Sequence, residues 1–126
     1  MLNEAKVLII EEDSGCGQEL QAILRFINQA PVLVDSQHWG DAFEEGNHYL
    51  AALVDATGSD SRLSELLNAI HLKNPDLPVY LLTEKGREPT VTIDPGSCIL
   101  GRLEIPPSYT QLTSAFHQAE GYLESQ

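Results

Sequence analysis

A chain of 126 residues with 7 Lys+Arg against 19 Asp+Glu carries a formal charge of -12, which excludes the partners that select for clustered cations: nucleic-acid phosphate and the anionic membrane surface. The seven cations are scattered from Lys6 to Arg102 and make no patch. With 42% hydrophobic and 21% charged residues, the composition is that of a single globular domain over residues 1–126, able to bury one core.

No stretch approaches the roughly 20 apolar residues of a membrane helix, and Met1 to Lys6 lacks the basic and apolar regions of a signal peptide, so a cytoplasmic location is expected. Cys16 and Cys98 stand far apart without a Cys or His neighbour at ligand spacing, and are read as buried free thiols.

The first element is the unbroken aliphatic run Val7 to Ile10, closed by Glu11-Glu12-Asp13, as in a strand covered on both faces by helices. The period then changes. Cys16, Leu20, Ile23, Leu24 and Ile27 recur at helical spacing, with Asp13 or Ser14 placed to cap the first turn and Gln29-Ala30-Pro31 to end it. Ser14-Gly15-Cys16-Gly17 lacks the glycine spacing and lysine of a phosphate loop and reads as a helix start. A short strand, Val32 to Val34, is followed by Trp39, Ala42 and Phe43 at i, i+3, i+4, a helical pattern whose aromatic pair is expected to pack in the core. Leu50 to Val54 is a third strand ending in Asp55. After Gly58, Leu63, Leu66, Leu67 and Ile70 share one helix face, stopped by Asn74-Pro75, and Val79 to Leu82 is a fourth strand ending in Thr83.

Between Glu84 and Gly101 the alternation should supply a fourth helix, but Pro89, Pro95, Gly86, Gly96 and the β-branched Thr90 to Ile93 oppose one, so it is expected to be short or missing. A last strand near Arg102 to Glu104 leads into Ile105-Pro106-Pro107. Ser108 with Gln111 makes a capping box for a final helix with Tyr109, Leu112, Phe116, Ala119 and Leu123 on one stripe. Four histidines, His38, His48, His71 and His117, are dispersed without a shared acid or Cys and suggest neither metal nor catalysis. The expected architecture is three-layer α/β, with about five parallel strands and helices on both faces.

The functional crevice of such a sheet lies beyond the carboxyl ends of its strands, and here those ends carry Glu11, Glu12, Asp55 and Thr83. In order, spacing and chemistry the chain resembles the receiver domains of two-component response regulators, a flavodoxin/receiver-like fold. That resemblance implies an acid pair for Mg²⁺ at Glu11 and Glu12, a phosphoacceptor at Asp55, a phosphoryl-binding hydroxyl at Thr83, and a Lys-Pro pair at Ile105-Pro106, with Pro106 a candidate cis-proline. Ile105 cannot supply the cation that phosphoryl transfer needs, and Glu12, in place of the usual Asp, projects a methylene too far for octahedral Mg²⁺. The pocket thus reads as vestigial, with its carboxylates forced to separate, hydrate or take up protons.

Leu103-Glu104-Ile105-Pro106-Pro107-Ser108-Tyr109 is similar to the corresponding segment of the degenerate receiver in the FleQ/FlrA family of flagellar σ54-dependent activators. By that resemblance the chain is the N-terminal fragment of a longer regulator with AAA+ ATPase and helix-turn-helix domains. It would act as a homodimer or higher oligomer through protein contacts, partnering its own AAA+ domain and touching neither nucleic acid nor membrane. No cofactor is expected in this domain; Mg²⁺ would bind weakly or not at all, and ATP and cyclic di-GMP belong to the ATPase domain. The alternative is a working phosphoacceptor receiver using Asp55, with charge compensation from Lys85 or Arg102. A small flavodoxin-like enzyme has less support, since no nucleophile-base pair is visible.

Overall fold

The computed structural model describes residues 6–12, 15, 17–43, 49–86, 99–105 and 107–125. Strands β1 (Lys6–Glu11), β2 (Pro31–Asp35), β3 (Tyr49–Asp55), β4 (Val79–Thr83) and β5 (Ile99–Glu104) form one parallel sheet in the order β2-β1-β3-β4-β5. Three α-helices are described: α1 (Gly17–Phe26), α2 (Asp60–Lys73) and α3 (Tyr109–Glu124). No described helix is long and apolar enough to cross a membrane.

Alternation along the strands divides the core in two. On one face Val7, Ile9, Leu53, Tyr80 and Leu82 meet Leu20 and Leu24 of α1 and Leu112, Phe116 and Ala119 of α3. On the other, Leu8, Ile10, Ala52, Val54 and Leu81 meet Leu63, Leu66, Leu67 and Ile70 of α2. Val7 to Ile10 are fully buried, which is why this strand reads as a continuous aliphatic run. Each such side chain removed from water contributes about 1.5–3 kcal/mol.

Local signals set the boundaries. The capping box of α3 is formed: Ser108 Oγ accepts from Gln111 N, and Gln111 Oε1 accepts from Ser108 N, both at 3.1 Å. Helix α1 ends earlier than Gln29-Ala30-Pro31. Asn28 adopts φ 66°, Gln29 N donates to Leu24 O at 2.8 Å and Asn28 N to Arg25 O at 3.1 Å, a Schellman closure with asparagine in the left-handed position. Pro31 opens β2 instead.

The segment expected to be helical around Trp39 is a single 3₁₀ turn, Trp39–Phe43. Gly40 lowers its helix propensity, and five residues are too few to nucleate an α-helix without help. Its aromatic pair still packs as expected, edge to face at 5.7 Å, and Phe43 continues onto Tyr49 at 5.6 Å. Strand β5 begins at Ile99, three residues before its expected start. β4 ends at Thr83 and a turn follows at Lys85-Gly86; the segment in which a fourth helix was judged short or missing lies mostly in 87–98, outside the described residues. Asp13, Ser14, Cys16, Cys98 and Pro106 also lie outside them, so the cap, thiol and cis-proline expectations do too.

Candidate functional site

Strand order fixes where the site must be. β1 and β3 are neighbours in space, while α1 and α2, which follow them, cover opposite faces of the sheet. The chain therefore parts at the carboxyl ends of β1 and β3, and a crevice opens there. It is a cleft of about 450 Å³ whose lining includes Glu12, Ser36, Trp39, Asp55, Gly58 and Arg62.

Asp55 is the last residue of β3 and only 1% exposed. Its Oδ1 accepts from Thr57 N at 2.9 Å and from Thr57 Oγ1 at 2.6 Å, and its Oδ2 accepts from Glu12 N at 2.9 Å. A buried carboxylate requires such donors. These do more than satisfy it, because they tie the start of the loop after β3 to the end of β1. Thr83, also 1% exposed, closes β4, and its carbonyl accepts from Ile105 N at 2.8 Å.

The sequence placed three described carboxylates at the strand ends, and the structure turns them apart. Glu11 Oε2 accepts from Gly17 N at 3.2 Å, the first residue of α1. Glu12 Oε2 accepts from Ser36 Oγ, just after β2, and from Arg62 Nη2 at 3.0 Å. Asp55 is held by Thr57 and the backbone of Glu12. Like charges lower their repulsion by separating onto different donors.

Ile105 does not face this crevice as a lysine would; it packs, partly buried, against the cluster shared by α1 and α3. Lys85 lies exposed in the turn after β4, and Arg102 lies exposed within β5 opposite Leu81. The sequence did not single out Arg62, Ser36 or Thr57. Glutamate at position 12, where a shorter acid is usual, signals a longer reach but not which residue it meets.

At the rim, His38 Nδ1 lies 2.8 Å from Asp35 Oδ1. The hydrogen bond with Asp35 raises the His38 pKa, and the same bond lowers that of Asp35. Both side chains are well exposed, so the pair is a solvated clasp across the end of β2.

Residues 6–121 match the family model of the flagellar regulatory protein FleQ. Solved structures of the same fold include a CheY-like response regulator receiver domain from Methanospirillum hungatei JF-1, at TM-score 0.77 and 15% identity over 98% of this chain and 100% of that one. A response regulator receiver domain from Clostridium thermocellum gives TM-score 0.74 and 20% identity over 95% and 97%. The receiver domain of a sensor histidine kinase from Pseudomonas aeruginosa PAO1, solved with a magnesium ion coordinated in its active-site cleft, gives 0.73 and 18% over 94% and 99%.

Among the described residues no three His, Cys, Asp or Glu are grouped to hold a metal, and the oxygens of Glu11, Glu12 and Asp55 are each committed to a different set of donors.

Proposed function

Because the chain belongs to the flagellar regulatory protein FleQ family, a regulatory family here carried on a receiver-like fold, we propose that it is the N-terminal regulatory and dimerisation domain of a σ54-dependent flagellar activator and signals by protein contacts without phosphorylation. The observation that carries this reading is the state of Asp55. Its two oxygens accept from Thr57 and from the backbone of Glu12, and the position from which a lysine would neutralise a phosphoryl group is Ile105, partly buried against the apolar cluster shared by α1 and α3. Attack on a phosphoryl donor would draw the carboxylate away from these donors, with no lysine after β5 to stabilise the transferred charge and with the nearby Arg62 guanidinium already bound to Glu12.

In this reading the domain acts in the cytoplasm as a homodimer or higher oligomer, hands its signal to an attached AAA+ ATPase domain, and leaves DNA contact to a helix-turn-helix domain. Mg²⁺ has no role in it, and ATP and cyclic di-GMP act on the ATPase domain. The charge of -12 supports contacts with protein over nucleic acid.

Incubation with Mg²⁺ and acetyl phosphate, or with Mg²⁺ and beryllofluoride, followed by intact mass and NMR, is expected to leave Asp55 unmodified. A stoichiometric adduct on Asp55 refutes the proposal. It would favour the second reading, a working phosphoacceptor, for which the placement of Asp55 and Thr83 at adjacent strand ends speaks.

A further inference from the structure

The extra methylene of Glu12 has a destination. Its side chain, 8% exposed, lies over Gly58, where a Cβ would stand 2.7 Å from Oε1. Its Oε2 accepts from Ser36 Oγ and from the guanidinium of Arg62. Each of these partners is anchored by its own backbone. Ser36 N donates to Glu11 O at 3.0 Å, and Arg62 N donates to Ser59 Oγ at 3.2 Å, the cap of α2. The cap fixes the first turn of α2, from which Arg62 extends back to β1. A cation in the first turn opposes the helix dipole, a small cost that the anions Asp60, in the same turn, and Glu12 offset.

We propose that Arg62 is the resident counter-cation of the acidic crevice. With Glu12 and Ser36 it forms a latch that joins the first turn of α2 to the ends of β1 and β2, supplying from α2 the positive charge that a metal ion and a lysine after β5 supply in the receiver pattern. The two departures of the sequence are then one change: the cation moved from one wall of the crevice to another, and the acid lengthened by one methylene to meet it. Gly58 is the space that the longer acid uses. The inference deepens the non-phosphorylated reading and rests on it, because a pocket whose lengthened acid carries its own counter-cation has less call for a metal.

The test is a double-mutant cycle on the full chain, with Arg62→Gln, Glu12→Gln and the pair, each unfolded in denaturant and followed by the emission of Trp39, the single tryptophan, which lines the same cleft. The two changes are expected to be non-additive by about fivefold in the unfolding equilibrium constant, the upper end for a partly exposed ion pair. Arg62→Gln with Glu120→Gln, an exposed residue of α3 on the opposite face of the sheet, is the control pair and is expected to be additive. Arg62→Lys, which keeps the charge, is expected to lose less stability than Arg62→Gln, which keeps hydrogen-bonding capacity without it; equal losses would mean that charge is not what joins the pair and would overturn the counter-cation. Additivity of Arg62→Gln and Glu12→Gln overturns the latch. A phosphoryl adduct on Asp55 with the coupling intact would overturn the functional reading instead, so the two failures are separable.

Discussion

Asp55→Asn separates two accounts of the crevice by the sign of its effect on stability. Asparagine can keep Oδ1 toward Thr57, but it then presents an amide NH₂ to the Glu12 N–H, which now lies 2.9 Å from a carboxylate oxygen. Losing a buried hydrogen bond to a charged acceptor costs about 1.5–3 kcal/mol, and converting the two bonds from Thr57 from charged to neutral acceptors costs about 0.5–1 kcal/mol more. Against this stands relief of repulsion. A carboxylate about 8 Å away repels by about 2 kcal/mol at an effective dielectric of 20, but the Arg62 guanidinium on Glu12 cancels most of that term. The net expectation is a loss of about 2 kcal/mol. At about 2.1 cal/mol/K of unfolding entropy per residue, 126 residues give about 0.26 kcal/mol/K, so Tm should fall by about 8 °C. Thermal unfolding by circular dichroism at pH 7 measures it. An unchanged or higher Tm would mean that crowded negative charge governs the crevice, and would refute the claim that Asp55 is a structural acceptor.

Two further outcomes are expected. Ser108→Ala removes one half of the capping box of α3 and should lower stability by about 1 kcal/mol, read from the denaturant midpoint, with Ser108→Asp retaining most of it; equal loss in both would exclude capping as the cause. Tyr80→Phe removes a hydroxyl whose oxygen lies 2.9 Å from Ala115 O and 2.7 Å from Gln118 Oε1, at a cost of about 1 kcal/mol near neutrality. Burial raises the Tyr80 pKa above its ordinary value of 10.0, so below pH 10 both states keep the proton and the contribution is whole. As pH climbs past 10 the unfolded chain ionises first and that contribution is lost. The stability difference between wild type and Tyr80→Phe should therefore narrow above pH 10, and a constant difference would contradict a buried, neutral phenol.

Sheet and helices were legible wherever one residue pattern had one physical use. The buried run at Val7 to Ile10 admits little besides a central strand, and Ser108 with Gln111 little besides a helix start. The 3₁₀ turn at Trp39 was misread because apolar spacing at i, i+3, i+4 is shared by a single turn and a longer helix; Gly40 and the short span decide between them. The start of β5 was missed because Gly101 interrupts its apolar pattern, although Gly101 pairs with Tyr80 in the sheet. At the strand ends, Glu11, Glu12, Asp55 and Thr83 could be located because each closes or follows an aliphatic run; Glu12 and Asp55 line the cleft, while Glu11 turns to the start of α1. Arg62 could not be located this way. Its role depends on two separations at once, 50 residues back to Glu12 and 24 from Glu12 to Ser36, and no local period links three segments.

The strand order β2-β1-β3-β4-β5 has a further consequence for how such a domain changes over time. Backbone makes the crevice, by sending α1 and α2 to opposite faces, and side chains only furnish it. Substituting the furnishings changes the lining of the cleft and leaves its backbone walls in place. Inheritance in this fold is thus of a fixed room with exchangeable contents, and its chemistry can lapse while its architecture, and the surfaces presented to partners, persist.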